Sequence, residues 1–141
     1  MEFLREYLDY GILGILGGMS FLMLWFGIER LLYFRRVDLS RFEYIEDLNL
    51  DLTRHLTLIA SIGANAPYVG LLGTVLGILL TFYDIGTRGS LDTSSIMLGL
   101  AFALKATALG LVVAIPAIIL FNALLRRVEV LKVRWRKGLG R

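Results

Sequence analysis

The sequence contains no cysteine, which excludes disulfide bonds and thiolate metal sites. Its single histidine, His55, is too little for a histidine metal cluster within one chain, and we assign it no role. Acidic and basic residues are absent from the whole stretch 56–83. We therefore expect no metal, no other cofactor and no catalytic residue, and we predict that the protein is not an enzyme.

What is abundant is apolar surface. Hydrophobic residues make up 57% of the 141 positions and the mean hydropathy is +0.71, which is too apolar for a soluble domain of this size. The isoelectric point near 9.4 could suggest a nucleic-acid partner, but the basic residues lie beside apolar segments and no soluble domain could shape a groove. The composition predicts a membrane protein in contact with lipids, without nucleic acid.

Three segments are long enough to cross a bilayer, since about 20 apolar residues span roughly 30 Å of hydrocarbon. We predict an all-α integral membrane protein forming one domain over residues 1–141, with spans at about 10–30, 62–83 and 96–120. Residues 1–9 have the pattern of a short interfacial helix. In the charged segment 29–55, apolar residues keep helical spacing, which predicts an amphipathic helix outside the membrane.

The distribution of lysine and arginine predicts the orientation. Residues 31–58 and 121–141 are basic and are placed in the cytoplasm, whereas the N-terminus and the hairpin 84–95 are not and are placed in the periplasm. Beyond the third span, Leu124, Val128, Leu131 and Trp135 still follow helical spacing, so we expect this helix to continue outside the membrane.

Small residues recur along one face of each of the last two spans. These faces are Gly70, Thr74, Gly77 and Thr81 on the second span, and Ala103, Thr107, Gly110 and Ala114 on the third. Counted inward from the outer ends, Thr74 and Thr107 lie at the same depth, near the bilayer midplane. The alternative is that each hydroxyl only bonds the carbonyl four residues earlier in its own helix.

Two stretches carry a family resemblance: residues 65–78, NAPYVGLLGTVLGI, and residues 104–116, LKATALGLVVAIP. They resemble the second and third membrane helices of the ExbB/TolQ/MotA proton-channel family, most closely its ExbB branch. The resemblance implies a homo-oligomeric, pentameric bundle of the bacterial inner membrane around a central pore. It also implies an ExbD-like partner with one span, whose aspartate carries the proton, and a TonB-like protein energised for outer-membrane uptake by the proton-motive force.

Two readings of function stay open beside this one. A TolQ-like stator would serve envelope integrity, and a non-conducting scaffold would use the small faces only to pack helices. Pro67 and Pro116 lie in the inner halves of their spans, where each removes a backbone donor and permits a bend.

Lys105 departs from the family pattern. Better-known members have a glutamate where Phe102 stands here, and this chain has a lysine one turn deeper. A lysine at the helix centre costs about 2.5 to 3.5 kcal/mol, so it should face protein, water or an acid. It stands roughly opposite Thr107 around the helix. Two interpretations remain: Lys105 takes part in the proton path, or it snorkels or forms a structural ion pair, for instance toward Asp84 or Asp92.

Overall fold

The computed structural model describes residues 2–89 and 92–138, and the regular secondary structure of this part of the chain is all helical. Its helices are α1 (Glu2–Arg36), α2 (Ile45–Leu52), α3 (Leu56–Arg88) and α4 (Thr93–Arg136), with a short 3-10 turn at Leu39–Arg41 between α1 and α2. Three of them, α1, α3 and α4, are long and apolar enough to cross a membrane. The all-α membrane architecture predicted from the sequence is thus confirmed.

The helices are longer than the predicted spans. Residues 2–9 form no separate interfacial helix, because α1 begins at Glu2 and continues without a break; Met1 lies outside the described residues. At the other end of the molecule, α4 runs to Arg136, as the apolar stripe over residues 124–135 predicts. Leu124, Val128 and Leu131 on that stripe are buried.

The ends of the helices follow from local chemistry. Gly89, with φ of 66°, closes α3 in the left-handed conformation that glycine adopts without strain. Asp92 then caps α4, its carboxylate accepting from the Ser94 amide at 3.2 Å. The predicted hairpin 84–95 is therefore mostly helical, and Ser90 and Leu91 within it lie outside the described residues.

The segment between α1 and α3 is not one amphipathic helix. The Ser40 hydroxyl and the Ser40 amide both donate to the Asp38 carboxylate, at 2.5 Å and 3.1 Å, and form a turn. These two bonds hold the pKa of Asp38 below its ordinary value. Only residues 45–52 of the segment then form a helix, α2, whose Leu48 and Leu52 are fully buried in one apolar cluster with Leu124 and Val128 of α4.

Helices α3 and α4 form the central pair of the bundle, and α1 packs against both of them. The pair is antiparallel, because Gly63 faces Ile118 near one end while Gly99 faces Thr81 near the other. From α1, Ile12, Leu16 and Met23 are buried against the pair. The indole of Trp135 donates to the Phe42 carbonyl at 3.0 Å and ties the end of α4 to the segment before α2.

Candidate functional site

The site begins with the close approach of two backbones. A Cβ added at Gly70 would lie 2.6 Å from the Ala106 carbonyl oxygen, and one added at Gly110 would lie 2.7 Å from the Ala66 carbonyl oxygen. Both distances are too short for a real side chain, so glycine is required at both positions. We call this contact, from Gly63 to Thr81 on α3 and from Gly99 to Ala117 on α4, the small-residue seam.

At the middle of the small-residue seam, two threonine hydroxyls meet. The Thr74 hydroxyl lies within hydrogen-bond distance of the Thr107 hydroxyl and donates to the carbonyl of Ala103 at 2.8 Å. Its distance to the Gly70 carbonyl of its own helix is longer, at 3.3 Å. The interhelical bonds are thus the shorter ones, and the alternative in which each threonine only bonds its own helix does not describe Thr74.

The protons of this pair can be assigned by counting donors. A hydroxyl has one hydrogen, and the Ala103 carbonyl can only accept. When Thr74 donates to Ala103, Thr107 therefore donates to Thr74 and keeps its lone pairs as acceptors. When both hydroxyls rotate, Thr74 donates to Thr107, and Thr107 has its own hydrogen available for an outside acceptor. The pair can thus either accept from or donate to a third group beside Thr107.

Thr107 is partly accessible, whereas Thr74 is buried. Around Thr107, the exposed side chains on the neighbouring turns are apolar, and they include Leu71, Val75, Leu104 and Leu111. This face is the side of the helix pair turned away from α1. A group that reached Thr107 from this side would meet hydroxyl oxygen in otherwise apolar surroundings.

Thr81 extends the polar contacts toward the N-terminal end of α1. Thr81 is 3% exposed, and its hydroxyl donates to the Gly77 carbonyl at 2.9 Å and accepts from the Arg5 guanidinium at 3.0 Å. The same guanidinium lies 3.9 Å from the Asp84 carboxylate. Arg5 therefore links α1 to the end of α3.

Lys105 is not part of the threonine cluster. Its ammonium lies 3.1 Å from the Asp9 carboxylate of α1 and 5.2 Å from the centre of the Phe102 ring. Two residues along α4 turn the direction by about 200°, which places Lys105 on the α1 side and Thr107 on the opposite side.

The suggested ion pair of Lys105 with Asp84 or Asp92 is wrong. Asp92 caps the start of α4, thirteen residues or about 20 Å from Lys105 along the axis, which is farther than a lysine stem reaches. Asp84 instead faces Arg5.

The structure also gives the positions of the other residues that the sequence analysis named. Gly77, Ala103 and Ala114 are buried in the small-residue seam with Gly70, Gly110 and Thr81. Pro67 and Pro116 both lie inside continuous helices, α3 and α4. His55 precedes α3 with φ of 69° and stacks on Phe26 at 4.3 Å between ring centres.

Sequence reasoning missed three residues of α1: Arg5, Asp9 and Arg30. Arg30 is 3% exposed, donates to the Asp51 carbonyl at 2.7 Å and to the Glu29 carboxylate at 2.5 Å and 2.6 Å, and lies over the Tyr33 ring at 4.4 Å. For Arg5 and Asp9 the available signal is charge balance, since a buried charge requires a partner, but a first span that begins at residue 10 leaves both of them outside it.

Comparison with known proteins agrees with this architecture. Residues 37–137 match the MotA/TolQ/ExbB proton channel family. The chain is 54% identical over 136 residues to the biopolymer transport protein ExbB of Helicobacter pylori (strain J99 / ATCC 700824), covering 96% of this chain and 94% of the relative. It is 55% identical over 135 residues to the protein of the same name from Aquifex aeolicus (strain VF5), covering 96% and 91%.

A third relative is the putative biopolymer transport protein ExbB-like 2 of Helicobacter pylori (strain ATCC 700392 / 26695), which is 48% identical over 132 residues. That alignment covers 94% of this chain and 88% of the relative. Both motifs that carry the resemblance, residues 65–78 and 104–116, fall inside the matched range 37–137. The chain therefore belongs to the MotA/TolQ/ExbB proton channel family.

Proposed function

We propose that this protein is an ExbB-like stator subunit of the bacterial inner membrane that conducts protons together with a one-span, ExbD-like partner. Within the complex, the proton-motive force would drive motion of a TonB-like protein and so energise uptake across the outer membrane. Support comes from relatives named biopolymer transport protein ExbB that match over almost their whole length.

The observation that carries the proposal is the hydroxyl pair of Thr74 and Thr107. A hydroxyl carries no charge at neutral pH, but this pair can stabilise a neighbouring carboxyl group in both of its protonation states. The stretches 56–83 and 96–125 contain no aspartate or glutamate, and Asp9 of α1 lies on the opposite side of α4 from Thr107, so a carboxyl group beside Thr107 would come from the partner. A partner aspartate beside Thr107 would accept a hydrogen bond when ionised and donate one when protonated.

We further propose a pentamer in which the apolar face around Thr107 lines a central lumen. In that arrangement Leu71, Leu104 and Leu111 would pack around the partner's helix, and α1 would lie on the outside of the ring. Support comes from the position of α1, which covers the opposite side of the α3–α4 pair. The subunit alone would conduct poorly because its lumen would lack a titrating group.

The orientation proposed is N-terminus in the periplasm and C-terminus in the cytoplasm. Basic residues concentrate after position 125, whereas the end formed by Asp84, Asp92 and the start of α1 is not basic overall. Reporter fusions after Gly89 should report the periplasm, and fusions after Arg136 should report the cytoplasm. The reverse pattern would overturn this orientation.

The decisive experiment removes the hydroxyls and keeps the shape. Thr74→Val and Thr107→Val should reduce energised uptake by roughly 100-fold, the usual loss when a positioned hydrogen-bonding group beside a charge is removed, with normal membrane insertion and oligomer size. Thr107→Ser should retain uptake because it keeps the hydroxyl. Uptake is measured in cells whose own copy of this protein is deleted and replaced by each variant.

Thr87→Val is the matched control. The Thr87 hydroxyl is exposed and bonds the carbonyls of Tyr83 and Asp84 in its own helix, so its loss should leave uptake unchanged. Full uptake by the Thr74→Val/Thr107→Val double variant would favour a non-conducting scaffold, for which valine is an adequate packing residue.

A further inference from the structure

We propose that Asp9 of α1 is a proton-relaying residue of this protein, positioned by Lys105, between a cavity at the N-terminal end of α1 and the small-residue seam. This inference rests on the proposed function. The proton path would then include the Asp9 carboxylate of the first helix in addition to the hydroxyl pair of α3 and α4.

The depth of the Asp9–Lys105 pair is the first argument. Lys105 lies twelve residues, or about 18 Å, into α4 from Thr93, well inside the apolar part of the helix. Its ammonium and the Asp9 carboxylate are 3.1 Å apart, with side chains 42% and 33% exposed. A charge pair at such a depth is expensive, and in membrane helices paired ionisable groups commonly mark ion paths.

The second argument is that Asp9 borders two cavities. The larger has a volume of about 460 Å³ and is lined by polar groups that include Glu6, Thr81, Asp84 and Asp92. The smaller, of about 20 Å³, is lined by Gly73, Gly77 and Ala103 of the small-residue seam. Arg5, Asp9 and Phe102 line both cavities, and among the described residues Asp9 is the one carboxylate that lines the smaller cavity.

The smaller cavity is large enough for one water molecule, which needs roughly 10–15 Å³ and at least two polar partners. Among the residues that line it, Arg5 and Asp9 have polar groups that can act as those partners. Ala103 also lines this cavity, and its carbonyl accepts the hydrogen bond from Thr74 of α3. Asp9 therefore lies one small cavity away from the residues that hold the hydroxyl pair.

The proposed step is a reversible proton transfer. The Asp9 carboxylate accepts a proton from hydronium in the larger cavity, which leaves a water molecule there and a neutral acid that no longer pairs with Lys105. The acid then gives the proton to water in the smaller cavity, and the restored carboxylate pairs with Lys105 again. Lys105 of α4 pairs with Asp9. The other charged groups that line the larger cavity with Asp9 are Arg5 and Glu6 from α1, Asp84 and Arg88 from α3, and Asp92, which caps α4.

The test compares variants in the complex with the one-span partner, reconstituted in liposomes under a pH gradient. Asp9→Asn should lower proton flux by roughly tenfold or more, whereas Asp9→Glu should keep much of it. Glu46→Gln is the control: Glu46 is an exposed carboxylate of α2 that lines neither cavity, so its loss should leave flux unchanged.

A double variant separates a relay from a purely structural ion pair. Asp9→Asn/Lys105→Met removes both charges, so it should restore flux if the pair only holds α1 in place. A relay predicts that flux stays low, and that in an infrared pH titration of the liposome-embedded chain the carboxyl band lost in Asp9→Asn is retained in Glu46→Gln.

These measurements distinguish a failure of the proposed function from a failure of the role of Asp9. Absence of flux from the wild-type complex would contradict the proposed function itself. Normal flux from Asp9→Asn, or restored flux from the double variant, would overturn the role of Asp9 and leave the proposed function standing.

Discussion

The small-residue seam joins α3 to α4 with almost no side chain between them, whereas α1 is attached to that pair by long side chains. At the seam, glycine and alanine let one backbone touch the next, and the interhelical hydrogen bonds of Thr74 are short. Along α1, the polar links to the pair are Arg5 to Thr81 and Asp9 to Lys105, while Arg30 donates to the Asp51 carbonyl of α2. The apolar side chains of Ile12, Leu16 and Met23 complete the contact with the pair.

The difference has a mechanical consequence. Backbones in contact can separate only by losing the contact, so the α3–α4 pair has one fixed spacing and holds the two hydroxyls in register. Long side chains with rotatable bonds can follow a shift of their partner by changing rotamer. In this molecule α1 is therefore the element that can shift relative to a rigid pair.

The largest expected effect comes from breaking the seam. Gly70→Ala places a Cβ 2.6 Å from the Ala106 carbonyl oxygen and 3.1 Å from the Gly110 Cα, both of them backbone atoms that cannot move aside. We expect a loss of stability of about 3 kcal/mol, at the upper end for overpacking. Thermal unfolding in detergent, followed by near-UV circular dichroism, measures it.

The same substitution at Gly86 is the control. Gly86 lies on the same helix, and a Cβ added there would meet nothing within 4 Å, so Gly86→Ala should change the stability by less than about 0.5 kcal/mol. Equal melting temperatures for Gly70→Ala and the wild type would show that the backbone contact is not required.

A smaller effect is expected from loosening α1 at its C-terminal end. Arg30→Met keeps the apolar stem but leaves the Asp51 carbonyl without its charged donor, which should cost about 2 kcal/mol. Limited proteolysis should then cut the segment 37–55 faster while α3 and α4 stay protected. Arg35→Met, at an exposed position on the same helix, should behave as wild type; equal cleavage rates for both variants would argue against an anchoring role for Arg30.

The contrast between the small-residue seam and the contacts of α1 also explains which features could be predicted from the sequence. The faces of α3 and α4 follow from helical periodicity and from the size of residues such as Gly70 and Gly110, since both signals are local. The meeting of Thr74 and Thr107 could be expected because two antiparallel spans joined by a short connection place equal depths side by side.

The contacts of α1 were not predictable in the same way. Periodicity shows that a helix has an apolar face, but it does not show which helix covers that face. The sequence therefore suggests Asp84 or Asp92 as the partner of Lys105, whereas the partner is Asp9. The sequence does not predict the break after Arg36 either, because neither proline nor glycine marks it. A turn built by Asp38 and Ser40 interrupts the helix there.

The smallest effect is expected where the two kinds of contact meet, at Thr81. This hydroxyl belongs to the small-residue seam through the Gly77 carbonyl and to the α1 attachment through Arg5. Thr81→Val removes both bonds but keeps the packing shape, and the Arg5 guanidinium retains Asp84 as a neighbour at 3.9 Å. We expect a cost of about 0.5–1.5 kcal/mol, the net worth of one hydrogen bond, because the Gly77 carbonyl keeps its backbone partner inside α3.

A double-mutant cycle with Arg5→Gln then separates the two attachments. If the Arg5–Thr81 bond carries the effect, the double variant should cost less than the sum of the single variants by roughly 0.5 kcal/mol or more, because the second substitution finds the bond already lost. If Arg5 acts mainly through Asp84, the stability losses of the two single variants should add in the double variant. The N-terminal end of α1 would then be attached to α3 mainly by the attraction between Arg5 and Asp84. Thermal unfolding of the four proteins in the same detergent decides between these outcomes.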